Sequence, residues 1–130
     1  MRAIYMTALT VLLSACAGGG SSPTKDAHAP PPPGARQISG SEISAQFIGR
    51  SHQSVTSSGQ AFTEVLTADG KARIHITGDP EATGNWKITG DVICVTYSAY
   101  GEECNVVKAD ERWFWFIDNT KGTTNNRFAR

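Results

Sequence analysis

The sequence predicts a mainly β domain, a small antiparallel meander or barrel-like sheet of about six to seven short strands with one short N-terminal helix. Apolar and polar residues alternate over short segments, most clearly over residues 71–77, where Ala72, Ile74 and Ile76 share one face. Turn pairs such as Asp69-Gly70 separate these segments. A single helix-start pattern precedes them all. These observations favour a meander preceded by a helix.

Residues 1–15 are expected to be a secretory signal peptide. The chain opens on Met1-Arg2, which gives a positively charged start, and residues 3–13 are mostly apolar. This run is too short to cross a hydrocarbon core, which needs about 20 residues. The segment is therefore predicted to be removed.

The segment ends in Leu13-Ser14-Ala15-Cys16, which is similar to the bacterial lipobox. The resemblance implies a diacylglycerol thioether on Cys16, cleavage before it, and acylation of the new amine, with palmitate as a typical chain. Each buried CH₂ contributes about 0.8 kcal/mol, so this lipid is the expected membrane attachment. By the same resemblance, Ala17 favours the outer membrane of the bacterial cell envelope. The alternative is a plain secreted protein with a chance cysteine.

Residues 16–36 are expected to be the lipidated Cys16 and a disordered tether, and residues 37–130 the β-domain. The tether is rich in Gly, Ser and Pro, and includes a run from Pro30 to Pro33. Such a composition cannot build a core. A partner with an aromatic groove could also recognise the proline run, although a spacer is the simpler interpretation.

A short helix is predicted over residues 40–48. Ser39 and Glu42 match a capping box, in which each side chain bonds the backbone N–H of the other residue. Ile38 and Ile43 occupy the hydrophobic staple positions on either side of it.

The rest of the domain is predicted to be strands. Their alternation and the turn residues between them set the limits of each one. The predicted strands cover residues 60–67, 71–77, 84–89, 92–97, 103–108, 112–118 and 127–128.

With Cys16 assigned to lipid, the remaining two of the three cysteines form a pair. A disulfide between Cys94 and Cys104 is expected in an oxidising compartment. A symmetric hairpin would place them opposite each other, and the bond would add about 2 to 3 kcal/mol of stability. A metal site or a reactive thiol pair is the alternative, but there is no nearby His and the spacing is not C-x-x-C.

The order Gly84-x-Trp86, Gly90-Asp91-x-Ile93-Cys94 and Cys104 resembles small secreted β-domains of proteobacterial envelopes, many of them without an assigned function. The Gly-x-Trp element is also similar to that of lipocalin-like barrels and of barrel-type protease inhibitors of Gram-negative bacteria. Lipocalins carry it on their first strand, whereas here it lies in mid-domain. Trp86 is expected to pack a barrel end.

The sequence gives no reason to expect an enzyme, a cofactor or a metal site. His52 and His75 lie in no nucleophile context, and the pair Glu102-Glu103 is expected to be a solvated turn. Twelve Lys and Arg balance twelve Asp and Glu, without a basic run, which argues against nucleic-acid binding.

The aromatic run Trp113-Phe114-Trp115-Phe116 is the candidate binding surface. Alternation sends Trp113 and Trp115 to one face and the two Phe side chains to the other. Either this strand is covered on both faces, for example by the helix, or the Trp row is exposed for a carbohydrate or a protein partner. The covered arrangement is the simpler one.

These observations favour a lipid-anchored envelope lipoprotein with a non-enzymatic role. The first hypothesis is a binding or inhibitor module that acts on another envelope protein. The second is a structural accessory of the outer membrane or of a secretion assembly. The third is a small-ligand carrier, which requires a barrel that is open to a ligand.

Overall fold

The fold is that of a computed structural model, which describes residues 26–130. Over this range the chain forms an antiparallel, nearly closed barrel-like sheet with one short helix, which confirms the predicted fold class. The elements are β1 (Arg36–Gln37), α1 (Gly40–Gln46), β2 (Ser51–Val55), β3 (Ala61–Leu66), β4 (Lys71–Ile76), β5 (Ala82–Thr89), β6 (Val92–Tyr97), β7 (Gly101–Ala109), β8 (Trp113–Asp118) and β9 (Thr124–Ala129).

Strands β2 to β9 are hydrogen-bonded in chain order, and β1 pairs with β7. The sheet curls until β2 and β9 lie side by side. This seam is joined by side chains that bond the opposite backbone: Ser54 Oγ donates to Arg127 O at 3.0 Å, and Asn126 Nδ2 donates to Val55 O at 3.0 Å. The barrel is therefore closed by individual contacts at its first and last long strands.

The helix begins as the sequence predicts and ends earlier. Ser39 and Glu42 form the capping box, and Ile38 and Ile43 are buried beside it. The helix ends at Gln46 because the chain turns at Phe47 and then enters a left-handed conformation at Gly49, φ 85°. The helix closes one end of the barrel through Phe47, which packs against Phe114, Phe116, Phe128 and His52.

All seven predicted strands are present, and β1 and β2 were not predicted. β2 is Ser-His-Gln-Ser-Val, with few of the β-branched or aromatic residues that mark a strand. Its inward side chains His52 and Ser54 are buried and polar, and both are hydrogen-bonded: His52 Nε2 donates to Phe47 O at 2.9 Å. Tertiary partners therefore stabilise a strand that its own sequence does not indicate.

The predicted disulfide is present. Cys94 and Cys104 are directly opposed on β6 and β7, with their Cα atoms 4.1 Å apart. Their neighbours Ile93 and Asn105 face the interior, so the disulfide lies on the outer face of the barrel. It staples one hairpin without entering the core.

Contacts with the barrel begin before Gln37, where the sequence predicted the domain to start. Ala27 is 2% exposed. The His28 ring contacts two backbone carbonyl groups at the seam. Its Nδ1 lies 2.7 Å from Asn125 O, and its Nε2 lies 3.1 Å from Thr56 O. This part of the predicted tether therefore lies against the sheet, because the strand ends leave acceptors for it. The predicted signal peptide, Cys16 and the start of the tether lie outside the described residues.

Candidate functional site

The end of the barrel opposite the helix opens into a cavity of about 300 Å³. The turns after β2 and β6 form part of its rim, and Tyr100 on the second of these is 44% exposed. The apolar wall of this barrel cavity consists of Phe62, Ile74, Ile76, Val95, Phe116 and Phe128. Its polar side chains are Glu64, Tyr97, Glu103, Asn105, Asn125 and Asn126, with Thr56 and Ser57 at the rim.

Glu64 is the most unusual of these groups. It lies at an inward position of β3 between Phe62 and Leu66 and is 7% exposed. Tyr97 Oη donates to Glu64 Oε2 at 2.7 Å from across the cavity. Burial raises the pKa of Glu64 to about 7, against the effect of this hydrogen bond, and the charge of Glu103 adds to the rise. The protein therefore holds a carboxyl group that changes charge near neutral pH.

Tyr97 remains protonated across the same range. Burial and the neighbouring Glu64 carboxylate raise the pKa of Tyr97 above its usual value. The phenol therefore stays a donor to Glu64. A fixed donor on one oxygen of a carboxyl group orients the other oxygen, Oε1.

Glu103 is the second carboxyl group of the cavity. It belongs to β7, faces inward opposite Val95, and is exposed at the rim. Partial desolvation and the nearby charge of Asp118 raise the pKa of Glu103. The Asp118 pKa is lowered, because the backbone N–H groups of Lys121 and Thr120 donate to its carboxylate. The rim therefore carries a second acidic group above the buried one.

Amide side chains complete the polar side of the cavity. Asn105 is buried on β7, and its Oδ1 accepts from Asn125 Nδ2 at 2.8 Å. Asn126 Nδ2 is used by the seam. At the rim, Tyr100 Oη donates to Asp79 Oδ2 at 3.2 Å, which ties together the turns after β4 and β6. Hydrogen bonds thus hold several groups around the opening in place.

The predicted binding surface lies elsewhere and is largely covered. Trp113 and Trp115 point to the outer face of β8, opposite Phe114 and Phe116. Trp115 is 3% exposed, and the Arg127 guanidinium lies 3.7 Å from the ring centroid of the half-buried Trp113. This strand is covered on both faces, so the structure favours the covered interpretation over an open aromatic row.

The structure also places three other features that the sequence had raised. Glu102-Glu103 was predicted to be a solvated turn, but both residues lie in β7; Glu102 faces outward and accepts from Thr96 Oγ1 at 3.0 Å. Glu102, Cys94 and Cys104 bring three potential metal-ligand atoms together, but the two sulfurs are joined in the disulfide. Trp86, which was predicted to pack a barrel end, packs against the core, and its Nε1 donates to Thr67 O at 2.7 Å.

Sequence reasoning did not find the cavity residues, although a signal for them is present. Glu64 occupies an apolar register position between Phe62 and Leu66. Asn105 also occupies an apolar register position, since it lies two residues before Val107 on the same face. A charged or amide side chain at an inward strand position is costly unless it has a partner. Tyr97 is that partner for Glu64, but the pairing depends on how the barrel closes.

The chain matches no protein-family model, no curated protein and no solved structure. Among residues 26–130, no helix is long and apolar enough to span a membrane. The chemistry of the cavity is therefore judged from its own residues. An apolar wall with a few convergent hydrogen-bonding groups is typical of a pocket for a small molecule.

Proposed function

We propose that this protein binds a small ligand in the barrel cavity while a lipid on Cys16 holds it at the bacterial envelope. The observation that carries the proposal is the cavity itself, about 300 Å³ in volume, with the buried Glu64 carboxyl group inside it. A barrel whose interior served stability alone would be filled by apolar side chains. Of the three roles expected from the sequence, the small-ligand carrier is the one that needs an open barrel.

Binding or inhibition of another envelope protein, and a structural role at the outer membrane, stay predictions. The candidate surface for binding another protein was the row of Trp113 and Trp115, and Trp115 is buried. The cavity is the better-formed site, because one hydrogen bond ties together two turns at its opening and another joins Asn125 to Asn105 in its lining. We therefore place the function at the open end of the barrel.

A pair of tryptophan substitutions tests this proposal. Val95→Trp adds a large ring inside the cavity, whereas Thr96→Trp adds the same ring at the next residue, on the outer face. The probes are phenethylamine, phenethyl alcohol and phenylpropionic acid, measured by calorimetry on the purified full chain. We expect at least one probe to bind, and we expect Val95→Trp to weaken that binding by about tenfold or more while Thr96→Trp leaves it unchanged.

Ser57→Trp, at the rim, serves if Val95→Trp does not fold as judged by circular dichroism. No binding of any probe to the folded wild type, or equal binding to the inward and outward variants, would contradict the proposal.

A further inference from the structure

We propose that the ligand of the barrel cavity is an organic cation, a small protonated amine whose ammonium group binds Glu64 and whose apolar body packs on the cavity wall. This inference rests on the proposed function. It names the ligand class, which the presence of a cavity alone does not.

The first argument is the sign of the charge. Glu64 and Glu103 both line the cavity, and within residues 26–130 its lining contains no Lys, Arg or His. A carboxylate or phosphate ligand would lie beside two acidic groups without a basic partner. A cation would instead neutralise negative charge that residues 26–130 leave without a basic partner in the cavity, and the interaction is strong where water is largely excluded.

The second argument is an acceptor without a donor. Glu64 is nine-tenths buried, and Tyr97 donates to its Oε2 only. Within the part of the chain that the structure describes, Oε1 has no hydrogen-bond partner. A buried carboxylate is stable when both oxygens accept hydrogen bonds. An ammonium group brings up to three N–H donors on a single atom, so it can satisfy Oε1 in a narrow space.

The third argument is the surface that surrounds these groups. Phe62, Phe116 and Phe128 line the same cavity as Glu64, and Tyr97 brings another ring beside it. Aromatic faces attract cations and also bury apolar carbon. An amine with a hydrocarbon or aromatic body would therefore use both parts of the wall, whereas an inorganic cation would use only the carboxyl groups.

The groups around Glu64 predict how pH affects the affinity. β2 contributes His52, whose Nε2 is engaged by Phe47 O, β6 contributes Tyr97, and β7 contributes Glu103. The basic side chains of β4, at Lys71, Arg73 and His75, are exposed on its outer face. No neighbouring cation in the described chain compensates the Glu64 charge, so the amine must supply the positive charge.

Because Glu64 titrates near pH 7 and an alkylamine stays charged, amine binding should strengthen about tenfold from pH 6 to pH 8.

The three probes used above also test this inference, since they share a phenyl body and differ in the charge of the head group. At pH 8 the full chain should bind phenethylamine at least about tenfold more tightly than phenethyl alcohol, and phenylpropionic acid most weakly. Glu64→Gln keeps an acceptor for Tyr97 and should abolish both the preference and its pH dependence. Glu102→Gln removes an outward carboxylate from β7 and should leave both unchanged.

The outcomes separate the two proposals. If the alcohol or the acid binds as tightly as the amine, and Val95→Trp blocks it, the organic-cation inference is wrong and the ligand-binding function stands. A preference for the amine that persists in Glu64→Gln also overturns the inference. If the folded chain binds none of the probes, the proposed function fails together with the inference that rests on it.

Discussion

Glu64 departs from what stability alone would select at an inward strand position. A carboxyl group at a core-facing position loses hydration, and one hydrogen bond from Tyr97 replaces only part of it. The folded protein therefore binds a proton at Glu64 more tightly than the unfolded chain does. Its pKa rises from 4.5 to about 7 on folding. Such a group destabilises the fold once it ionises, which is consistent with a role in binding.

This shift predicts a specific dependence of stability on pH. Between about pH 4.5 and pH 7 the folded state holds a proton that the unfolded state has lost, so the free energy of unfolding decreases as pH rises. The loss is complete above about pH 7 and amounts to about 3 kcal/mol. We expect urea unfolding to show this decrease in the wild type relative to Glu64→Gln.

The comparison with Glu64→Gln isolates the effect of Glu64 from that of His52. Burial lowers the pKa of His52, which makes stability rise with pH up to about 6.5 in both proteins. If the free energies of unfolding of wild type and variant differ by the same amount from about pH 4.5 to about pH 7, the prediction is contradicted.

At the scale of the element, Gly84 on β5 allows β5 and β6 to lie close together. Gly84 pairs with Tyr97, and a Cβ at Gly84 would collide with Thr96 O and come within 2.8 Å of the Tyr97 ring. Two residues on, Trp86 packs against the core and bonds Thr67 O. The Gly-x-Trp element therefore combines a close backbone contact with an anchor. Its glycine also lies opposite Tyr97, the donor to Glu64.

Gly84→Ala should therefore destabilise the barrel. Because backbone atoms of β6 block the new methyl group, β5 and β6 must move apart, at a cost of about 1 to 3 kcal/mol. Chemical denaturation measures the change. Gly34→Ala is the matched control, since a Cβ at Gly34 meets no atom within 4 Å. Equal stability of the two variants would show that the close contact of β5 with β6 is unimportant.

At the scale of the whole molecule, the barrel has one weak line, where β2 meets β9. Single side-chain bonds from Ser54 and Asn126 join these strands, and His28 adds two more contacts from outside. The carbonyl groups that His28 reaches belong to Thr56 and Asn125, which also line the cavity. The segment before β1 therefore contacts the mouth of the barrel cavity.

Removing this connection should loosen the seam. His28→Ala deletes both contacts, and we expect amide hydrogen exchange in β2 and β9 to become roughly threefold faster while β6 and β7 are unaffected. His75→Ala is the control, because the His75 side chain is exposed on β4 and makes no hydrogen bond within the described residues. Unchanged amide exchange in β2 and β9 would mean that His28 does not stabilise the seam.

Much of the fold could be predicted from local pattern. The alternation in β4, the capping box at Ser39 and the pairing of Cys94 with Cys104 are each determined by neighbouring residues or by a short hairpin. β2 and the site were not predicted. In both cases polar side chains occupy inward positions and are stabilised by residues far away in sequence, such as Arg127 for Ser54 and Tyr97 for Glu64.

The sequence by itself determined the strand pattern, the helix start and the disulfide partners, because these depend on periodicity and on spacing within one or two elements. It also supplied the expectation of a lipid anchor at Cys16. Only the tertiary structure decided which polar residues share an interior and that Trp115 is covered. The reason is that closing a sheet into a barrel brings strands together that are distant along the chain. The Glu64 site exists only after that closure.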